Sequence, residues 1–141
     1  MSTHNAESCV INAPLEKVWA AISAQDFKFW SLVKSTNQLA SPSEVGGTRE
    51  VTFNDGTVQT YRLIEYSLVR NALTYEIIDS KPSVDFLSAQ HTIQVTRVTA
   101  NNTSFVQWIS DYSADGSEAV VMDSKYKKLD ALAELAKSLE N

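Results

Sequence analysis

The stretch GGTREVTFNDGTVQTYRLIE, residues 46–65, carries Arg49 and Glu65 among apolar and aromatic side chains. A guanidinium presents planar donors that suit an oxyanion, and a carboxylate can take up and return a proton. Aimed into one hollow, the pair could hold an oxyanion at one end of a ligand and move a proton at the other. A plainer reading has Arg49 bonded to a backbone carbonyl or reaching water at a cavity mouth, and Glu65 on the surface at a strand end. His91 is the one histidine within the expected fold, and a lone histidine is more often a satisfied core or rim residue than a base. Other chemistries lack their residues. One cysteine, Cys9, and histidines at 4 and 91 give no zinc spacing, and neither a G-x-S-x-G elbow nor a phosphate loop occurs.

Which way Arg49 and Glu65 point depends on the turn between their strands. With Asp55-Gly56 as a two-residue loop, Arg49 would lie opposite Arg62, and like charges in direct register repel. With Asn54-Asp55-Gly56 as a three-residue loop closed by glycine in the left-handed region, Arg49 lies opposite Tyr61. The second register puts Arg49, Val51, Phe53, Gln59, Tyr61, Leu63 and Glu65 on one face. The spacing predicts that this face looks inward with Leu73, Tyr75 and Ile77, with Leu87, Ala89, His91, Ile93 and Val95, and with Val106, Trp108, Ser110 and Tyr112. Arginine, glutamine, glutamate, histidine and tyrosines do not suit a dry core, because each buried polar group needs a partner. They suit a wet or ligand-filled cavity. Glu65 stands about 13 Å along the strand from Tyr61, too far for a direct ion pair with Arg49 but within reach of the other end of one ligand.

The elements that must position these residues follow from periodicity. ESCVIN, residues 7–12, reads as a strand. Pro14 opens a helix with Val18, Trp19 and Ile22 at helical spacing, and a second short helix is expected to carry Phe27, Phe29 and Trp30. From there to Tyr112, strand segments alternate with the turn signals SPSEVGG, NDG, RNA, DSKPS and ANNT, which describes an antiparallel meander. Residues 117–140 return to a helical period. Their stripe of Met122, Tyr126, Leu129, Leu132, Ala133, Ala136 and Leu139 is expected to cover the sheet, while Lys125, Lys127 and Lys128 read as a solvated face.

A chain of 141 residues fits one domain, 1–141. Its net charge of −5 argues against nucleic acid, whose phosphates need clustered cations. No apolar run approaches the roughly 20 residues of a bilayer span, and the start MSTHNAES lacks a signal-peptide core, so a cytoplasmic protein without stable membrane insertion is expected. The lone Cys9 permits a reducing compartment. The sequence assigns no oligomeric state.

The motifs I-x-A-P-x-E-x-V-W (Ile11 to Trp19), Asp26-Phe27 with Trp30, G-x-x-R (46–49), F-x-D-G (53–56), L-x-E (63–65) and T-x-x-x-x-W (Thr103 to Trp108), followed by an amphipathic C-terminal helix, resemble the Bet v 1-like superfamily. Within it the chain most resembles the polyketide cyclase/dehydrase branch, whose plant members include lachrymatory-factor synthases and abscisic-acid receptors. The resemblance spans nearly the whole chain. It implies an α+β helix-grip fold: a curved seven-stranded antiparallel sheet wrapped around a long C-terminal helix, with two short helices after the first strand and an apolar cavity between sheet and helix. In the lachrymatory-factor-synthase branch a cavity arginine and carboxylate handle protons, and Arg49 and Glu65 match those positions. Thr60 and Tyr66 stand where that branch often has acidic residues. The abscisic-acid gate sequences S-G-L-P and H-R-L are absent, which argues against hormone sensing of that kind.

Three functions are compatible with these residues. A carrier or receptor for a hydrophobic small molecule needs only the cavity, walled by Phe53, Gln59, Tyr61, Leu63, Tyr75, Ile77, Ala89, His91, Ile93, Trp108, Tyr112, Met122 and Tyr126. An enzyme of the kind the resemblance implies, for cyclisation, dehydration or tautomerisation of a small carbonyl compound without metal or organic cofactor, also needs Arg49 and Glu65 to line that cavity together. A protein-interaction module would need an exposed apolar patch. The first is the reading the sequence favours.

Overall fold

The computed structural model describes residues 3–140; residues 1, 2 and 141 of the expected domain lie outside them. The alternating segments form β1 (His4–Ile11), β2 (Val33–Gln38), β3 (Thr48–Phe53), β4 (Val58–Ser67), β5 (Ala72–Lys81), β6 (Ala89–Val98) and β7 (Thr103–Tyr112). They make one antiparallel sheet in the order β1-β7-β6-β5-β4-β3-β2, so β2 to β7 run as a meander and β1 closes on β7. Helix α1 (Leu15–Ser23) follows β1 and packs on β6 and β7, and α2 (Glu118–Leu139) ends the chain. This is the α+β helix-grip architecture expected from the sequence. Among the described residues no helix is long and apolar enough to cross a membrane.

The β3–β4 turn takes the three-residue form. Gly56 has φ 92°, which glycine adopts without a Cβ clash, and Gly56 N–H donates to the Phe53 carbonyl at 3.0 Å. Arg49 therefore faces Tyr61 across the ladder, and Val51 faces Gln59. The core that this register builds joins Val51, Leu63, Leu73, Ile93, Val95 and Val106 of the sheet to Val18 and Ile22 of α1 and Ala131, Leu132 and Leu135 of α2.

Three expectations are corrected. No second helix follows α1, because Gln25 and Phe27 both have positive φ, 55° and 52°, which a right-handed helix cannot include. Such residues cost about 1–3 kcal/mol each and persist where the surroundings over-determine them. At Phe27 the reason is packing. Its ring lies 5.9 Å from both Tyr61 and Tyr75 in edge-on geometry and 6.3 Å from Trp108, inside the sheet's concave face.

The stripe of α2 is rotated from the expected one. Lys128, Ala131, Leu132 and Leu135 are its buried residues, while Met122 and Tyr126 are 39% and 58% exposed and Leu129 faces water as well. Both stripes have helical spacing and share Leu132, and the expected Ala136 and Leu139 pack half-buried against the core. A lysine at the head of the true one makes it look like the wrong choice, since lysine is almost never fully buried. Leu87, expected on an inward strand face, precedes β6 and is exposed.

Candidate functional site

The inner face of the sheet divides along its strands. Toward the β3–β4 turn it carries Phe53, Gln59, Tyr61, Tyr75, Ile77, His91, Trp108 and Tyr112, all of which line a cavity of about 760 Å³. Toward the other end Val51, Leu63, Leu73, Ile93 and Val106 pack into the dry core instead. Ala89 is buried without lining the cavity. The remaining walls come from Trp30 and Leu32 before β2, from Val84, Asp85 and Phe86 between β5 and β6, and from the first half of α2, including Val120, Ser124 and Lys128.

Arg49 and Glu65 do not share this cavity. Leu63 pairs with Tyr75 but Glu65 pairs with Thr74, so Ile64 is an extra residue in β4 and the alternation of faces inverts after it. Tyr66 turns inward onto Trp19, ring centroids 5.6 Å apart, and Glu65 turns outward to pair with Arg70 at 3.1 Å. Arg49 does point inward, 1% exposed, yet it lies among the residues of the dry end. None of its guanidinium nitrogens meets a hydrogen-bond acceptor among the described residues, and burial lowers its pKa. Met122 and Tyr126, expected as ligand contacts, face away from the cavity with the exposed side of α2. Replacing Glu65→Gln is accordingly expected to change stability by no more than about 0.5 kcal/mol, as an exposed ion pair does, and to leave ligand affinity unchanged. Urea titration with and without a bound probe measures both.

What the cavity holds instead is a polar strip set into aromatic walls. Tyr75, His91 and Ser110 occupy directly opposed positions on β5, β6 and β7. The imidazole therefore stacks on the Tyr75 ring, 5.1 Å between centroids and 28° between planes, and its Nδ1 shares a 2.5 Å hydrogen bond with Ser110 Oγ. Burial, and secondarily the nearby Lys128 charge, lower His91 to about 3, so it is a neutral hydrogen-bonding group at ordinary pH. Tyr61 donates to Gln59 Oε1 at 2.9 Å. Burial raises the Tyr61 and Tyr75 phenols well above their usual range. Burial also raises Tyr112, against which the Ser124 and Ser110 hydroxyls work.

Lys128 is the residue sequence reasoning missed. It is 4% exposed, its Nζ donates to Ser124 Oγ one turn earlier, and the ammonium lies 5.7 Å from the centroid of the Trp108 ring. Burial lowers it to about 8, partly countered by the Glu7 carboxylate of β1. Its neighbours Lys125 and Lys127 behave as a solvated face should, pairing with Glu7 at 4.0 Å and Asp123 at 2.8 Å. Phe86 was also missed, because it follows the turn-forming DSKPS; its ring meets Tyr112 edge-on at 5.0 Å and lines the cavity. Among the described residues no three His, Cys, Asp or Glu side chains converge as metal ligands would.

A family model described as polyketide cyclase/dehydrase and lipid transport matches residues 3–140. A protein of Nitrosospira multiformis superposes with a TM-score of 0.86 at 25% identity, covering 98% of this chain and 97% of that one. The protein XoxI of Bacillus cereus gives 0.84 at 23% identity, with coverage of 99% and 96%. Ara h 8.0201, which has the Bet v 1 fold, gives 0.78 at 14% identity over 96% of each chain. No curated protein matches the sequence significantly.

Proposed function

Because the chain belongs to the polyketide cyclase/dehydrase and lipid transport family, of the Bet v 1-like superfamily, we propose that it is a carrier or receptor that encloses one hydrophobic small molecule between the sheet and α2. The observation that carries this reading is the cavity itself. Its volume of about 760 Å³ falls within the range of roughly 300–1,000 Å³ that suits a small ligand, and Phe53, Tyr61, Tyr75, Ile77 and Trp108 offer it large apolar faces. Binding asks for no catalytic group. The enzyme alternative relies on Arg49 and Glu65 acting on one substrate, and nothing in the cavity wall favours it.

The test is the neutral fluorescent probe N-phenyl-1-naphthylamine. It is expected to bind with a blue-shifted, enhanced emission and to quench Trp30 and Trp108, both wall residues. Ile77→Trp, which fills the cavity from the middle of β5, is expected to weaken binding at least tenfold. Probe binding that is absent at saturating concentration, or indifferent to Ile77→Trp, would overturn the reading.

A further inference from the structure

We propose that the ligand is an amphipathic anion, a flat apolar skeleton bearing a carboxylate, and that Lys128 is the residue that selects it by pairing with that carboxylate inside the cavity. The inference rests on the cavity-binding reading and names the chemical class that reading leaves open.

Lys128 is a cation in the wrong place for structure alone. An ammonium has three donors, and among the described residues the Ser124 hydroxyl is its one hydrogen-bond partner. The acids near it pair with other lysines, Glu7 with Lys125 and Asp123 with Lys127, and Glu7 acts on Lys128 only through space. Among the described residues no carboxylate lies within ion-pair distance of its Nζ, while the groups that share the cavity wall with it from β5, β6 and β7 are the neutral imidazole of His91 and the protonated phenols of Tyr75 and Tyr112. Beneath it the Trp108 ring offers only a π face. A buried charge without a counter-ion is costly, and a carboxylate arriving with a ligand supplies both the opposite charge and the missing acceptors.

The rest of the wall sets the remainder of the ligand. Tyr61, Tyr75, Ile77 and Trp108 present faces rather than further charges, so the skeleton attached to the carboxylate is apolar and flat. Asp55, Asp85, Asp123 and Lys127 are also wall residues, but all four are exposed, and Lys127 is already paired with Asp123 at 2.8 Å. Water and salt screen them over about 8–10 Å, whereas the pair at Lys128 forms where the dielectric is low. An anion is therefore weakly repelled at the rim and strongly held within.

The decisive comparison is between 2-naphthoate and 2-naphthylmethanol, which share a skeleton and differ in the anionic group, by titration calorimetry at pH 7. The wild type is expected to bind the acid at least tenfold more tightly than the alcohol. Lys128→Met is expected to abolish that preference while still binding the alcohol, which also shows that the variant is folded; Lys128→Arg retains a preference, and Lys137→Met, a charge change at the far end of α2, leaves it intact. Acid binding weakens as the pH rises from 8 to 10, and alcohol binding does not. Equal affinities, or a preference that survives Lys128→Met, would overturn the proposal and leave the cavity-binding reading standing. Failure of both compounds to bind would overturn the two together.

Discussion

Lowering the pH from 7 to 4 is expected to remove about 3 kcal/mol of stability through His91 alone, and His91→Gln is expected to erase that part of the loss. The sign follows from where the proton goes. In the unfolded chain the imidazole takes up a proton near pH 6.5; in the fold it is held neutral down to about 3. Between those values the unfolded state binds more protons, so acid favours unfolding, at about 1.4 kcal/mol for each unit of pH. The loss begins near 6.5 and continues towards 3. Glutamine can keep a hydrogen bond to Ser110 but carries no titratable group, so the comparison of urea unfolding at pH 7 and pH 4 in the two proteins cancels the carboxylates they share. An equal acid loss in both would show that His91 is not kept neutral by its surroundings.

Lys128→Met is expected to stabilise the protein at pH 7 by about 2–3 kcal/mol, raising the unfolding midpoint by several degrees. Here too the folded pKa lies below the unfolded one, about 8 against 10.5. The wild type therefore bears the full cost below pH 8, recovers it between 8 and about 10, and the variant shows no such recovery. Above pH 10 the raised phenols of Tyr61, Tyr75 and Tyr112 work in the opposite direction, because the unfolded chain loses those protons first. The window is thus pH 8 to 10, followed by thermal melts of the two proteins. A core residue that destabilises the fold is what a binding site looks like before its ligand arrives, since function is commonly held at the expense of stability. The same substitution that strengthens the fold is the one expected to blind the cavity to carboxylates.

The two charges singled out first in the sequence met different fates, and each has a local cause. Arg49 was legible because one turn decides its face: repulsion from Arg62 rules out the two-residue loop, and Gly56 supplies the left-handed residue that the three-residue loop needs. Glu65 was not legible, because strict alternation was carried through β4 and a single inserted residue, Ile64, reverses it. A bulge leaves no mark in the pattern of apolar residues when both faces of the strand are mixed. Tyr66 filling the place expected of Glu65 against Trp19 is the packing gain that accompanies the inversion.

From residue types and spacing alone came the antiparallel meander, the long last helix, the hairpin register and most of the cavity wall on the sheet, from Phe53 through Tyr112. These are short-range properties: periodicity of two, turn chemistry and like-charge repulsion all act between neighbours in sequence or across one hairpin. Tertiary structure alone decided the rotation of α2, the left-handed bend that seats Phe27, the outward turn of Glu65 and the burial of Lys128. Each of those depends on which surface meets which across the interior, where aromatic packing outweighs a strained φ and a lysine's long apolar stem lets its charge reach a cavity that its own helix does not disclose.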